Sequence, residues 1–387
     1  MDSPVNNAKP LVSAVIPTYN HADCLSHAID SILAQEGLGE QFEVEVLVVD
    51  DASTDATAEV ARRYPQVRYL RLTQRQGVSA AQNAGIRAGT GQYVSVLGAD
   101  DTWLPHKLRV QVALLRANPD YAVVYSQSIR RGVGEDRLFP DALRAPSGRV
   151  FEAMLTDNFA GSFAALLIRR EAFDKAGYFD EHLVTYEDYD LSLRLAFHFR
   201  FLFVPGPVTI YNISPNGLWL TQTASGQAAR DYSRVIEKVL RLVPDSVRAI
   251  EVREELPIRS ALQSVSPLVL VGDHAQAWIA LTKALRGCPS CVRHQWVRDR
   301  IKWVMRERLL KASAPLSEAR ELCSQIEIAT GNGKPQEREY VRWLLAEIWA
   351  DVLATKALRN RVGLHGAVYA SMRAFSYAPL HLVRRIV

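Results

Sequence analysis

The chain has 387 residues, of which 48% are hydrophobic, so it is long enough for about two domains with their own cores. Its 46 lysine and arginine residues nearly balance its 42 aspartate and glutamate residues, which gives a net charge of +4. So small a charge argues against a protein that binds nucleic acid by bulk electrostatics. Any charge that serves a function must therefore be concentrated locally.

We expect neither a secretory leader nor a membrane-spanning helix in this sequence. The first residues, MDSPVNNAKP, are polar, and no stretch approaches the ~20 uninterrupted apolar residues that a spanning helix requires. We therefore expect a cytoplasmic protein. The four cysteines are spaced too unevenly for a disulfide framework, and the pair in Cys288-Pro-Ser-Cys291 is interpreted as two thiols in a turn between helices.

The N-terminal part of the chain alternates between two hydrophobic patterns. Short apolar, β-branched runs predict strands, and apolar residues at every third or fourth position predict helices. The predicted strands are 12–16, 44–49, 67–72 and 93–97, and the predicted helices are 25–33, 55–64 with Asp55 as N-cap, and 79–88. This βαβαβαβ order predicts an α/β fold with a mostly parallel sheet and helices on its faces.

After Asp101 the pattern is mixed, and it becomes helical towards the C-terminus. We predict a helix at 104–115 introduced by Pro105, a flexible loop at 133–149, and strands at 122–126, 163–168, 201–204 and 208–213. From about Gln227 onward, amphipathic helical stretches are separated by breakers such as Val243-Pro244-Asp245. We therefore expect an α/β domain at 1–226 and an all-α domain at 227–387.

Acidic residues follow two of the predicted strands at their carboxyl ends, which is where open parallel sheets bind ligands. Asp50 and Asp51 follow the second strand, and Asp100 and Asp101 follow the fourth. A divalent cation, Mg²⁺ or Mn²⁺, would let these carboxylates hold a diphosphate that they would otherwise repel. Each pair taken alone is also explained as a solvated cap or a polar turn.

Four segments resemble the family 2 glycosyltransferases, which have the GT-A fold. They are VSAVIPTYN at 12–20, VLVVDDASTD at 46–55, QGVSAAQNAGIRAGTGQYVSVLGADD at 76–101 and AGYFDEHLVTYEDYDLSLRL at 176–195. The resemblance implies an inverting enzyme that moves a sugar from a nucleotide sugar, with a UDP-sugar as the expected donor. The acceptor would be a hydroxyl of a saccharide or glycan, in the synthesis of a cell-surface polysaccharide or glycan.

The resemblance also implies which residues bind the donor. Asp100 would face the ribose or the metal, and Asp101 would bind the metal that bridges the diphosphate. Pro17 and Tyr19 would flank the nucleoside, and Asp51 would accept a hydrogen bond from the base. The helix after Gly77, with Gln82 and Asn83, would line the nucleotide.

Glu187 and Asp188 are the candidate catalytic residues. By the resemblance, Asp188 is the general base, which takes the proton from the acceptor hydroxyl while that oxygen attacks the anomeric carbon and inverts it. A carboxylate with a raised pKa is an adequate base for this step near neutral pH. Acidic residues are also favoured in the first turn of a helix, so capping is an alternative explanation of the pair.

Three positions depart from the family's pattern. Gly98 stands where an acid is common, Gln82 where an arginine is common, and Ser214 where many members have a histidine. These departures leave open a second hypothesis, a catalytically impaired relative that acts as a binding or scaffold protein. A nucleotidyltransferase of similar architecture is disfavoured, because residues 17–24 contain no glycine-rich, basic loop for a triphosphate.

The C-terminal residues 363–387 mix apolar side chains with Arg373, Arg384 and Arg385. A helix of this composition could lie against anionic lipid, which would make the protein peripheral at the inner face of the membrane. Packing against the helical domain is the alternative that we favour.

Overall fold

The computed structural model describes residues 9–132, 136–140, 142, 145–213, 221–222, 226–270, 272–288, 291–292, 294–311 and 324–326. The chain divides into two compact units, Met1–Gln222 with Asp231–Arg253, and Thr223–Arg230 with Glu254–Val387. The domain boundary predicted after residue 226 stays a prediction. Ser214 and the segment 363–387 lie outside the described residues.

The N-terminal part of the first unit has the predicted βαβαβαβ order. Its strands are β1 (Leu11–Thr18), β2 (Glu43–Asp50), β3 (Val67–Arg71) and β4 (Tyr93–Val96), and its helices are α1 (Leu25–Leu33), α2 (Thr57–Arg62) and α3 (Val78–Ala88). All of β1 after Leu11 is buried, and so is all of β4. Strands that helices cover on both faces have such unbroken apolar runs, which is why the sequence pattern located them.

The predicted N-cap of α2 is wrong by one residue. Ala56, not Asp55, is the N-cap. The Asp55 carboxylate instead accepts hydrogen bonds from the N–H groups of Thr57 and Ala22, each at 3.0 Å. Asp55 therefore ties the start of α2 to the turn that follows β1.

The strands form one mixed sheet in the order β3-β2-β1-β4-β8-β6-β9-β5. The later strands are β5 (Thr102–Trp103), β6 (Tyr121–Arg131), β7 (Arg137–Phe139), which pairs with β6 outside this order, β8 (Leu166–Arg169) and β9 (Arg200–Asn212). The first four strands of the sheet are parallel, β8 is antiparallel to both its neighbours, and β9 is parallel to β6 and antiparallel to β5. The carboxyl ends of β1, β2 and β4 therefore meet at one edge. The antiparallel pairing of β5 with β9 places the end of β9 at the same edge.

Two elements after β4 begin later than predicted. Helix α4 is Lys107–Ala117 rather than 104–115, because Leu104 donates its N–H to the carbonyl of Val208 in β9 at 2.9 Å. The strand predicted at 163–168 is a short 3₁₀ helix, Phe163–Ala165, followed by β8. The Ser162 hydroxyl accepts the N–H of Ala164 at 3.3 Å and so caps this 3₁₀ turn.

The strands of the far half of the sheet are longer than predicted. The segments 201–204 and 208–213 are the single strand β9, and the segment 122–126 is part of the longer β6. Gly206 and Pro207 interrupt the apolar sequence pattern within β9. The pairing of β6 with β9 accommodates them by a register shift at Gln127, whose side chain accepts the N–H of Gly206 at 2.9 Å. Strand β7 lies inside the segment 133–149, which was predicted to be a loop.

The remaining described helices follow β7 in chain order. They are α5 (Phe151–Met154), α6 (Ala172–Ala176), α7 (Glu187–His198), α8 (Gln227–Leu240), α9 (Val247–Ala261), α10 (Val265–Leu270), α11 (His274–Gly287) and α12 (Gln295–Lys311). A 3₁₀ helix, Leu262–Ser264, joins α9 to α10. The predicted change to helical structure near Gln227 is confirmed for the part of the chain that the structure describes. Within that part, no helix combines the length and the apolarity needed to cross a membrane.

The second unit has a separate apolar core around Trp278, which is 2% exposed, and Leu281, which is fully buried. The interpretation of Cys288 and Cys291 as two free thiols is wrong, because they form a disulfide. Their Cα atoms lie 5.6 Å apart in the turn between α11 and α12, within the range that a disulfide requires.

The two faces of β1 pack against different helices. Val12, Ala14 and Ile16 are fully buried in a cluster that includes residues of α1 and α4. On the opposite face, α3 lies so close that a methyl group on Gly85 would overlap Val15 and would lie 3.0 Å from Val49 Cγ2. Only glycine therefore fits between α3 and the sheet at this point.

We expect Gly85→Ala to destabilise the protein by about 1–3 kcal/mol, because the added methyl group overpacks the interface of α3 with the sheet. The measurement is the urea dependence of unfolding. Gly287→Ala is the matched control, because a methyl group there meets nothing within 4 Å. Equal stability of the two variants would show that α3 does not pack as described.

Candidate active site

Two carboxylates converge beside Gly98 at the end of β4. A methyl group at Gly98 would lie 2.9 Å from Asp100 Oδ1 and 3.1 Å from Asp101 Oδ2. Asp101 is only 4% exposed, and its N–H donates to the carbonyl of Gly98 at 3.0 Å. Burial, and then the nearby charge of Asp100, raise the pKa of Asp101 well above its usual range.

Asn212, the last residue of β9, holds both of these aspartates. Its N–H donates to Asp101 Oδ1 at 2.9 Å, and its side-chain Nδ2 donates to the carbonyl oxygen of Asp100 at 2.6 Å. The antiparallel pairing of β5 with β9 creates this contact, since β5 begins directly after Asp101. This contact of Asn212 was not predicted, because it depends on the register of two strands far apart in the chain.

The pair Asp100 and Asp101 fits a divalent cation that also binds a diphosphate. Among the described residues, no three His, Cys, Asp or Glu side chains are grouped so that they could hold a metal by themselves. A cation such as Mg²⁺ commonly takes one or two protein carboxylates and fills its other positions with phosphate oxygens and water. Asp101 Oδ2 and Asp100 Oδ1 face the same space, while Asp101 Oδ1 is occupied by Asn212.

Glu187 and Asp188 begin α7 after a backbone reversal at Tyr186, which has a left-handed conformation with φ of 61°. The N–H of Tyr189 donates to Asp188 Oδ1 at 2.7 Å. Burial raises the pKa of Asp188, while the Tyr189 N–H and the charge of Arg130 oppose this shift. Burial, and then the charge of Asp188, raise the pKa of Glu187. Burial thus disfavours the ionised form of both carboxyl groups, and more strongly that of Glu187 than that of Asp188.

Tyr211 connects the two groups of carboxylates. Burial raises the pKa of this phenol, and the charges of Asp101 and Asp188 raise it further. Tyr211 precedes Asn212 in β9, and its direct partner across the strands is Arg130 of β6. The charges of the predicted metal ligand Asp101 and of the predicted base Asp188 both reach Tyr211, which indicates that the two carboxylates lie near the end of β9.

Arg130 is a positive group of this site that the sequence did not single out. Its guanidinium lies 3.7 Å from the centre of the Phe139 ring, and its charge acts on Asp188. The strand that contains it was predicted to end at 126, so Arg130 was not recognised as an edge residue. Its charge therefore lies close to Asp188, the predicted general base.

The predicted donor residues lie along the edge formed by β1, β2 and α3. Both Asp51 oxygens accept backbone N–H groups, from Gln76 at 2.6 Å and from Gly77 at 2.8 Å. Gly77 has φ of 97° and is the N-cap of α3, which explains the need for glycine there. Pro17 pairs with Val49 in the sheet, and the Arg75 guanidinium lies 4.2 Å from the centre of the Tyr19 ring.

Gln82 and Asn83, two neighbours on α3, have different surroundings. The Asn83 side chain accepts the N–H of Phe179 at 2.9 Å and donates to the Phe179 carbonyl at 2.9 Å and to Glu181 Oε1 at 2.7 Å. These contacts occupy its amide and tie α3 to the segment before α7. Gln82 Oε1, by contrast, is buried without a hydrogen-bond partner among the described residues, as is Thr18 Oγ1 at the end of β1. Unsatisfied buried polar atoms of this kind are expected where a ligand or water binds.

Comparison with known proteins identifies the family of the chain. Residues 13–177 match the sequence model of a protein family described as glycosyl transferase family 2. A protein of Mycobacterium tuberculosis (strain CDC 1551 / Oshkosh), MT1568, is 30% identical over 270 residues, which cover 63% of this chain and 81% of that protein. The chain belongs to glycosyl transferase family 2.

Other relatives of this family 2 chain match over a shorter region. The succinoglycan biosynthesis protein ExoO of Rhizobium meliloti (strain 1021) is 43% identical over 111 residues, which cover 28% of this chain. The match spans only 31% of the length of ExoO. The crystal structure of S. aureus TarS 1-349 in complex with UDP-GlcNAc is 16% identical and superposes with a TM-score of 0.51, covering 84% of this chain and 91% of that one. This likeness confirms the predicted fold class, an α/β domain of the GT-A type followed by helices.

The raised pKa values of Glu187 and Asp188 predict that stability falls as pH rises. These two carboxyl groups keep their protons to a higher pH in the folded protein than in the unfolded chain, where carboxyl groups ionise at about pH 4. Each rise in pH above that value therefore lowers the free energy of unfolding. Glu187→Gln lacks one of these groups. We therefore expect its free energy of unfolding to rise, relative to that of the wild type, by about 1 kcal/mol between about pH 5 and about pH 8.

Urea unfolding at the two pH values measures this gain. Glu237→Gln, at an exposed position of α8, is the control and should follow the wild type. If Glu187→Gln keeps the same pH dependence as the wild type, the carboxyl pair is not desolvated.

Proposed function

We propose that the chain is an inverting glycosyltransferase that moves a sugar from a nucleoside-diphosphate sugar to a hydroxyl group. The observation that carries the proposal lies at the end of β9, where Asn212 donates its N–H to Asp101 and the preceding residue, Tyr211, is under the charge of Asp188. A donor site and a base must lie side by side for direct transfer. Membership of glycosyl transferase family 2 supports the reaction type. The general-base role given to Asp188 predicts inversion, since the acceptor oxygen attacks in a single displacement.

Asp100 and Asp101 are proposed to hold a divalent cation, Mn²⁺ or Mg²⁺, together with the donor diphosphate. When bound, the cation neutralises the charge that builds up on the leaving diphosphate. Asn212 keeps Asp101 oriented for this role through its N–H. Arg130 adds positive charge at the same end of the sheet and partly replaces the arginine that is absent at Gln82.

A UDP-sugar is the proposed donor, in keeping with the UDP-GlcNAc bound to the S. aureus TarS structure. Pro17 and Tyr19 would flank the base, and Asp51 would accept a hydrogen bond from it through lone pairs that Gln76 and Gly77 leave unused. Gln82 would satisfy its buried Oε1 with a donor group of the nucleotide. For Asn83 the contacts with Phe179 and Glu181 favour an indirect role, in which it shapes the pocket.

The acceptor is proposed to be a saccharide or glycan in polysaccharide synthesis, as the name of the ExoO relative suggests. Asp188 removes the proton from its attacking hydroxyl, and the raised pKa makes this carboxylate a stronger base than an exposed aspartate. The catalytic part is proposed to lie within residues 1–226. A cytoplasmic location and a membrane contact through residues 363–387 also remain proposals.

A second candidate function is a binding protein that has lost activity. Gly98 favours it, because a glycine there leaves Asp100 and Asp101 without a third acid. Release of nucleoside diphosphate from UDP-sugars in the presence of Mn²⁺ distinguishes an active glycosyltransferase from an inactive binding protein. An active enzyme releases UDP in repeated turnovers. A binding protein retains the UDP-sugar intact.

We expect Asp188→Asn to lower sugar transfer by about 100-fold or more, because the amide cannot take the acceptor proton. Donor affinity should change little, since Asp188 is not a donor ligand in this proposal. The measurements are UDP release and the dissociation constant of UDP. Asp174→Asn, at an exposed position of α6, is the control. Full activity of Asp188→Asn would refute its role as base.

We expect Mn²⁺ and UDP together to raise the melting temperature of the wild type more than the sum of their separate effects, because the cation links carboxylate to diphosphate. Asp101→Ala should lose this joint effect. A thermal-shift assay measures it, with Asp120→Ala at an exposed turn as control. An unchanged joint effect in Asp101→Ala would place the cation elsewhere.

A further inference from the structure

Helix α8 contains a fully buried carboxylate that faces the segment before the proposed base. Asp231 is 0% exposed, and its Oδ2 accepts the N–H of Val184 at 3.2 Å. The same oxygen accepts the N–H of Thr185 at 3.1 Å and the hydroxyl of Thr185 at 3.2 Å. A single carboxylate oxygen thus fixes the backbone of the two residues that precede Tyr186.

Tyr186 is the residue at which the chain turns into α7, and its left-handed conformation has a cost. Tyrosine at φ of 61° is less stable than in ordinary conformations by about 1–2 kcal/mol, so surrounding contacts must hold it there. The next residue of α8, Tyr232, supplies one of these contacts, with ring centres 5.5 Å apart. The Tyr232 ring also stacks on Tyr189 at 6.2 Å, with the planes 9° apart.

Two helical turns after Asp231, α8 makes a third contact with the same region. Lys238 Nζ lies 3.0 Å from Asp190 Oδ1 and 2.8 Å from Asp180 Oδ2. Asp190 is fully buried in the first turn of α7 and also pairs with Arg194 at 2.6 Å. Asp231, Tyr232 and Lys238 therefore contact α7 and its approach on both sides of Asp188.

We propose that Asp231 is a positioning residue that holds the 184–186 segment, and through it Asp188, in the arrangement needed for proton transfer. The inference rests on the proposed function, because it assigns Asp188 as the base. It extends the active site to a helix whose sequence suggested only an amphipathic packing element. A misplacement of a base by about 1 Å reduces turnover strongly even when the substrate still binds, so a positioning role affects kcat before it affects donor binding.

The experiment measures steady-state UDP release and the dissociation constant of UDP, using the UDP-sugar that the full-length wild type turns over fastest with Mn²⁺. In Asp231→Ala, two N–H groups and a hydroxyl lose their acceptor, and we expect kcat to fall about 10- to 100-fold. The UDP dissociation constant should change less than about twofold, because the donor residues lie on other elements. Glu237→Gln, on the exposed face of α8, should match the wild type in both measurements.

A second variant keeps the test decisive if Asp231→Ala does not fold. Asp231→Asn retains an acceptor oxygen but replaces charge-assisted hydrogen bonds by weaker neutral ones, so we expect a fall in kcat of about three- to tenfold with unchanged UDP affinity. Wild-type kcat in Asp231→Asn and Asp231→Ala, or a loss of UDP affinity that matches the loss of kcat, would overturn the positioning role. Absence of UDP release by the wild type itself would instead overturn the proposed function, and this inference with it.

Discussion

Carboxyl groups of like charge are crowded together where β9 ends, and burying them raises the free energy of the fold. Asp101, Glu187 and Asp188 all have raised pKa values, and in each case burial is the first cause. The surrounding structure offsets only part of this cost, through the Asn212 N–H on Asp101, the Tyr189 N–H on Asp188 and the charge of Arg130. In the proposed function, the remaining cost would favour the arrival of a cation at Asp100 and Asp101, and it keeps Asp188 more basic than an exposed aspartate.

The strand pairing around β9 is the structural basis of this crowding. β9 runs parallel to β6, which places Tyr211 beside Arg130, and antiparallel to β5, which places Asn212 beside Asp101. Strand β9 thereby connects the acidic residues at the end of β4 with the Arg130 guanidinium on β6. The chain enters α7 through the left-handed residue Tyr186, and Asp188 in the first turn of α7 acts by its charge on Tyr211 near the end of β9. We propose that the contacts of α8 with the residues before Tyr186 hold this turn in place.

The sequence predicted the first half of the sheet and much of the candidate site because those features are local. Buried runs such as Val46 to Val49 and Tyr93 to Leu97 identify strands by themselves, and the acids after them mark the edge. The role of Asn212 was not predictable, since it depends on which residues of β5 and β9 face one another. Arg130 was missed because the apolar pattern of β6 stops before the strand does. The contacts of Asp231 were missed because periodicity shows which face of a helix is buried but not what it is buried against.

In the proposed function, Asp101 and Asp100 hold the cation that bridges to the donor diphosphate. Crystals grown with Mn²⁺ and UDP, measured at a wavelength where manganese scatters anomalously, locate this cation. We expect an anomalous peak within coordination distance of an Asp101 carboxylate oxygen and of a UDP phosphate oxygen. A peak at a different place, or well-ordered UDP whose phosphates approach neither Asp100 nor Asp101, would refute the metal-binding role of the two aspartates.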